Sequence, residues 1–283
     1  MKSHRGRLGE VWHQLKKNKF AVAGLVIIIL VILVAIFAPI LAPYPYDAQD
    51  LTASYVKPCA EHLLGTDKFG RDTLSRLIWG SRKSLEMGLG CVALGSAIGI
   101  ALGSIAGYFG KRMDNIIMRI MDIFSCIPML LMCVVIAAVL GPSVRNAIIA
   151  IAISSMPSAA RLIRASILTV REKEFVEAAQ AIDASPLHII LKHIIPNSIA
   201  PSIVAITMNI GNSIISGATL SYIGLGAQPP LAEWGAMLSE GRNLMRDHME
   251  LVLYPGICIM ITVLAFNLLG DGLRDAMDPR LKN

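Results

Sequence analysis

Six long apolar runs alternate with polar segments along the 283-residue chain. The first, Phe20 to Ala42, holds 23 residues without a charge, enough for a helix to cross about 30 Å of hydrocarbon. The others cover residues 87–108, 116–140, 144–158, 198–224 and 249–270. The fourth is short and contains Ser154, Ser155 and Pro157, so its ends are poorly marked. A secretory signal has an apolar core of roughly 7–15 residues, which the first run exceeds. Pro43 also follows its plausible cleavage site, so that run predicts an uncleaved helix. The pattern predicts an all-α polytopic membrane protein with six transmembrane helices.

Basic residues orient the spans. Segments 1–19, 108–122, 161–197 and 271–283 hold 17 Lys and Arg, and the alternate segments hold nine. Cytoplasmic loops carry the excess, which places both termini inside. Within the second span Gly95, Gly99, Gly103 and Gly107 recur every four residues. They share one side of a helix, where a neighbouring backbone can approach closely.

Composition narrows the alternatives. Hydrophobic residues make up 54% of the chain and charged residues 16%, where a soluble domain typically carries about 25%. Disorder, a coiled coil and an ordinary soluble enzyme are excluded on that ground. The net charge of +6 is scattered between apolar runs and aromatics are only 6%, unlike a nucleic-acid surface. Five cysteines show no paired spacing, so neither a disulfide framework nor a zinc site is indicated.

The segment REKEFVEAAQAIDASPLHIILKHIIPNSIAP, residues 171–201, is predicted to form two short amphipathic helices at the cytoplasmic surface. Phe175, Val176, Ala179 and Ile182 share a face of the first. Asp183 and Ala184 interrupt the pattern. Ser185 then reads as an N-cap with Pro186 at the first helical position. Leu187, Ile190, Leu191, Ile194 and Ile195 follow at helical spacing, and Pro196 is expected to end the helix. Such a pair can rest on the membrane or seat its apolar anchors in a soluble partner.

Glu177-Ala178-Ala179, a turn, and then Ile195-Pro196 resemble the EAA loop of binding-protein-dependent ABC import permeases. Asp183 stands where that pattern has glycine, and Ile195 where it has leucine. Residues 62–72, HLLGTDKFGRD, are similar to a run in the dipeptide, oligopeptide and nickel permeases, with Leu63 for the usual proline. Gly224 to Pro230 with Glu233-Trp234-Gly235, and residues 264–281, also resemble that group, in the family order. The likeness covers essentially the whole chain and points to the C-type subunit of the permease pair.

That resemblance implies the type I importer permease fold, divided here into residues 1–75 (basic segment, first helix, outer loop) and a five-helix core, 76–283, containing the loop at 171–197. It implies an importer for di- or oligopeptides, nickel or a nickel chelate, or glutathione. Its partners would be a second, homologous permease, two ATP-binding subunits, an extracytoplasmic binding protein and membrane lipid. Glu177, Ala178, Ala179, Asp183, Ala184, Ser185, Ile195 and Pro196 would form the contact that couples to the ATPases. The chain itself has no G-x-x-x-x-G-K-[ST] loop, so it is expected to be no enzyme and to hold no cofactor, with ATP and magnesium on the partners.

Other candidates come from the residues themselves. Asn209, Asn212, Ser213 and Ser216 form one polar face of the fifth span, suited either to a translocation path or to bonding between helices. Arg119 and Asp122, three apart, can pair near the inner end of the third span. His188 and His193, five apart, should lie on different helix faces, and no metal site is expected. By resemblance Gln228, Pro229, Glu233 and Trp234 face the binding protein; the alternative is a packing loop anchored by Trp234. A membrane-embedded enzyme lacks its paired catalytic groups here. A stand-alone ion-coupled transporter would need a charge at mid-membrane or broken helices.

Overall fold

Asn18 starts the first long helix of the computed structural model, which describes residues 7–277. Its side chain accepts hydrogen bonds from the amides of Phe20 and Ala21 (3.1 and 3.2 Å). A short helix α1 (Arg7–Leu15) precedes it, and the first apolar run folds as α2 (Lys19–Ile36) and one further turn, α3 (Ala38–Leu41).

The second span, α4 (Thr73–Phe109), is 37 residues long and begins 14 residues before the apolar run. Asp72 caps it by accepting from the Ser75 amide at 2.7 Å. The added turns carry Arg76, Arg82, Lys83 and Glu86, so hydropathy alone does not reveal them. Gly110, at φ +60°, ends the helix.

The third apolar run is not one helix. It divides into α5 (Lys111–Ser125) and α6 (Met129–Leu140), bent by 88°. Pro128 lacks an amide hydrogen and disfavours helical geometry at Ile127, so the turn between them cannot close. At 12 residues, α6 is about 18 Å long and too short to cross alone. Among the described residues five helices are long and apolar enough to cross a membrane, or six if the bent pair counts as one span.

The fourth span, α7 (Val144–Arg171), runs through Pro157 and continues well past Ser158. Ile163 and Ile167 are buried on one side of that extension, so its arginines mark an amphipathic helix end rather than a loop. Next come α8 (Glu174–Ala181), α9 (Pro186–His188), a π-helical stretch at Ile189–Ile194, and α10 (Ile195–Ser198). The chain returns as α11 (Ala200–Tyr222), reverses through α12 (Trp234–Gly241), and finishes in α13 (Glu250–Met277).

The glycine stripe on α4 seats α7. A Cβ at Gly103 would stand 2.5 Å from the Ala160 carbonyl oxygen, one at Gly107 2.8 Å from Ile167, and one at Gly99 would collide with Ala159. Met87 and Cys91 of α4, Cys133 and Ala137 of α6, Ala147 and Ile151 of α7 and Leu220 of α11 form the largest core. A second core joins Ile28 of α2 to Ala265 and Phe266 of α13 and Ile214 of α11. Residues 172–199 gather at one end of the bundle, and residues 42–72 with 223–249 at the other.

Candidate functional site

The loop between α7 and α11 has two unlike sides. Val176 and Ala179 of α8 are buried with Ile163 and Ile167 of α7 and with Ile189 and Ile194. Glu177, Ala178 and Gln180 stay exposed, and so do Phe175, Ile182, Leu187 and Leu191. Burial of one face therefore fixes the helix to α7 and leaves its other face exposed.

The elbow turns at Asp183, whose φ is +56°. This is the left-handed region that the family's glycine enters freely and that Asp tolerates through local hydrogen bonding. The Ala184 amide donates to the Ala179 carbonyl at 3.2 Å, closing the turn. Ser185 caps the next helix as expected, its Oγ accepting from the His188 amide at 3.4 Å, with Pro186 in the first turn.

Pro196 does not stop this helix. The stretch before it widens into a π-helix, in which the Ile195 amide bonds five residues back to Ile190. Pro196 then lies in the first turn of α10, where a missing amide hydrogen costs little. The same widening corrects the placement of the histidines. Residues five apart share a face of a π-helix, and the His188 and His193 rings stand 5.7 Å apart. Among the described residues no group of three or more metal-binding side chains forms.

On α11 the four polar residues do not behave as one set. Asn209 and Asn212 are exposed and Ser216 is half-buried, its Oγ donating to the Asn212 carbonyl at 2.9 Å. Ser213 is buried at 5% exposure on the packed side. Asp122 takes its cation from another helix: Arg161 of α7 reaches it at 3.3 Å and also donates to Ser125 at 2.6 Å. The expected local pair with Arg119 is thus replaced, because α5 crosses α7 where Arg161 projects.

The loop after α11 contains a further correction. Glu233 is 1% exposed and Trp234 2% exposed, so neither faces outward. The Glu233 carboxylate caps α12, accepting from the Gly235 and Ala236 amides at 2.9 Å each. It also accepts from Ser84 of α4 at 2.9 Å. The Trp234 indole donates to the Leu77 carbonyl at 3.0 Å. Gln228 folds back on its own loop, donating to Gly224 and Gly226, while Pro229 is exposed. Glu233 and Trp234 pin the loop to α4.

Comparison with known proteins places this arrangement. Residues 99–283 match the family model described as "Binding-protein-dependent transport system inner membrane component". Residues 6–58 match the "N-terminal TM domain of oligopeptide transport permease C". The chain belongs to this family of transport permeases. A dipeptide transport system permease protein of Alkalihalophilus pseudofirmus is 47% identical, over 97% of this chain and 90% of that one. A probable D,D-dipeptide permease of Escherichia coli K12 is also 47% identical, covering 95% and 90%. A glutathione transport system permease of Escherichia coli O157:H7 is 44% identical, covering 96% and 90%. The membrane fold is shared with a chain of the MetNI methionine ABC transporter in inward-facing conformations. That match has TM-score 0.58 and 18% identity, over 72% of this chain and 97% of that chain. The protein is thus an integral membrane permease subunit and not an enzyme.

The permease also holds a buried charge network that the sequence did not single out. Arg71 is 1% exposed and donates to Asp67 at 2.6 Å and to Glu240 of α12 at 2.7 Å. Arg76, equally buried, donates to the same Glu240 oxygen at 3.1 Å. Beside them Asp72 meets His62 at 3.0 Å. Asp67, Arg71 and Asp72 all lie in the 62–72 run, so that run clamps the start of α4 to α12. Asp67 and Arg71 lie in a turn rather than on a helix, so their spacing carried no signal, and nothing local pointed to Glu240.

Proposed function

We propose that this permease forms half of the translocation path of an ATP-driven importer of di- and oligopeptides. A second, homologous permease completes the path and an extracytoplasmic binding protein delivers the peptide. Two ATPase subunits, which bind ATP and magnesium, supply the energy. Both termini and the 171–197 loop lie in the cytoplasm, and the 42–72 and 223–249 segments lie outside.

The observation that carries the role is the two-sided coupling loop. Its inner face is fixed to α7, and its outer face offers Glu177 together with the exposed apolar side chains of Phe175, Ile182, Leu187 and Leu191. Charged and apolar groups on a stiff, capped element suit a groove in a soluble motor subunit. Asn209 and Asn212 support the path. They are exposed on a membrane-crossing helix, where contact with lipid is costly, so they face water or the second permease. Peptide as cargo is supported by near full-length likeness to permeases named for dipeptides. Glutathione, itself a peptide-like solute, is the second reading, supported by relatives at 44% identity.

The test is uptake into proteoliposomes holding both permeases and both ATPases, with the binding protein outside. ATP- and binding-protein-dependent accumulation of labelled Ala-Ala supports the peptide reading. Accumulation of glutathione alone favours the second. Uptake driven by an ion gradient without ATP overturns both.

A further inference from the structure

Where α4 rises past its apolar stretch, an open cavity of about 350 Å³ lies between it and the loop after α11. Tyr46 and Trp79 supply aromatic surface, Leu231 and Ala232 an apolar wall, and Arg82, Lys83 and Glu86 the charges. This is the small end of ligand-pocket sizes, roughly 300–1,000 Å³, which suits a molecule of a few residues rather than a protein surface.

The charges are arranged with both signs available. The Arg82 guanidinium sits 5.2 Å from the centre of the Trp79 ring, and the Tyr46 ring stands 5.2 Å from Trp79. Stacking of this kind holds a guanidinium in place without neutralising it. Among the described residues no carboxylate pairs with Arg82 within ion-pair distance. Lys83 and Glu86 are bonded at 2.7 Å, but their side chains are 36% and 51% exposed. A solvated pair of that kind exchanges readily for another partner. The cavity also has a defined level in the bundle. Met87, the residue after Glu86, packs against Gly217, the residue after Ser216 on α11. The cavity therefore lies at the level of Gly217, five residues beyond Asn212 along α11.

We propose that this cavity receives a short zwitterionic peptide at the outer mouth of the path. Arg82 takes the terminal carboxylate, Glu86 takes the α-ammonium, and Trp79 with Tyr46 cover a side chain. The proposal rests on the peptide-import reading and deepens it by naming the groups of the cargo that the permease itself recognises.

Saturation-transfer NMR on the complete transporter in nanodiscs, without binding protein, tests it with three probes: Ala-Ala, its N-acetyl form and its C-terminal amide. The wild type should bind Ala-Ala at least tenfold more tightly than either blocked peptide. Arg82→Gln should bind Ala-Ala and the amide alike, and Glu86→Gln should bind Ala-Ala and the N-acetyl form alike. Monodisperse elution of the assembled complex in size-exclusion chromatography, with a wild-type thermal unfolding midpoint, shows that each variant complex is folded. Equal Ala-Ala binding by the wild type and Arg82→Gln overturns the proposal, as does absence of binding to a wild-type complex that responds to its binding protein. A variant that changes only the binding-protein concentration needed for half-maximal stimulation makes Arg82 a docking contact, which also overturns it. Binding that follows this pattern without ATP-driven Ala-Ala uptake leaves the pocket standing and removes the import reading. Normal uptake with binding insensitive to Arg82 does the reverse.

Discussion

Asp183 holds a left-handed backbone at φ +56°, a conformation that Asp tolerates better than most residues. Left-handed geometry costs an ordinary L-residue about 1–2 kcal/mol, glycine nothing, and a β-branched residue most. Asp183→Gly should therefore match or exceed the wild type in thermal unfolding of the detergent-solubilised permease, and Asp183→Val should unfold at lower temperature. A lower midpoint for the glycine variant would refute the strain argument. The sequence showed this position because a family motif names its geometry. Arg71 is a harder case, since its partner Glu240 is 169 residues away. Removing one member of a buried ion network leaves the others uncompensated, typically costing about 3–5 kcal/mol. Arg71→Ala should lose that much stability in denaturant unfolding, while exposed Lys57→Ala should change it by less than about 0.5 kcal/mol.

At the scale of elements, apolar runs located the spans but not their full lengths. Hydropathy stops where a helix leaves hydrocarbon: the α7 extension buries Ile163 and Ile167, whereas the α4 extension buries mainly small and polar side chains such as Ser75, Arg76, Ser81 and Ser84. The break at Pro128 and the continuation through Pro196 look alike in sequence. They differ because a π-helical stretch precedes Pro196 and absorbs its missing bond, whereas the chain at Ile127 turns by 88°. Glu233 and Trp234 were misplaced for a related reason. A polar motif on an outer loop reads as a contact surface until its hydrogen bonds to Ser84 and Leu77 are seen. The glycine stripe was fully legible, since spacing of four defines a helix side without any tertiary knowledge. Gly99→Val should separate α4 from α7 and abolish recovery of a monodisperse permease in size-exclusion chromatography. Gly256→Ala is the contrast: its added Cβ would find its nearest neighbour, Leu238, at 4.0 Å. That variant should be recovered normally and gain up to about 1 kcal/mol from helix propensity.

Across the whole molecule these contacts make a lever. Val176 and Ala179 bind the loop to α7, and the glycines lock α7 to α4. At the far end Arg71 and Glu233 tie α4 to α12. A displacement applied to α8 therefore moves packed helices as a body, which is how a two-position element transmits force. Glu177 is suited to receive that displacement because it is exposed beside two anchored residues and stabilises nothing by its own burial. It lies in the first turn of α8, where an acidic side chain complements the helix dipole by about 0.3–1 kcal/mol. Glu177→Lys forfeits only that much, so the variant should assemble and unfold nearly as the wild type does. In the proposed coupling role, the charge it presents to a motor subunit would change sign. Uptake in proteoliposomes should then fall tenfold or more, and liganded binding protein should no longer stimulate ATP hydrolysis. Glu177→Gln separates charge from shape, with an intermediate loss expected. Wild-type uptake by Glu177→Lys would mean that force enters elsewhere, leaving the apolar group Phe175, Ile182, Leu187 and Leu191 as the element to test next.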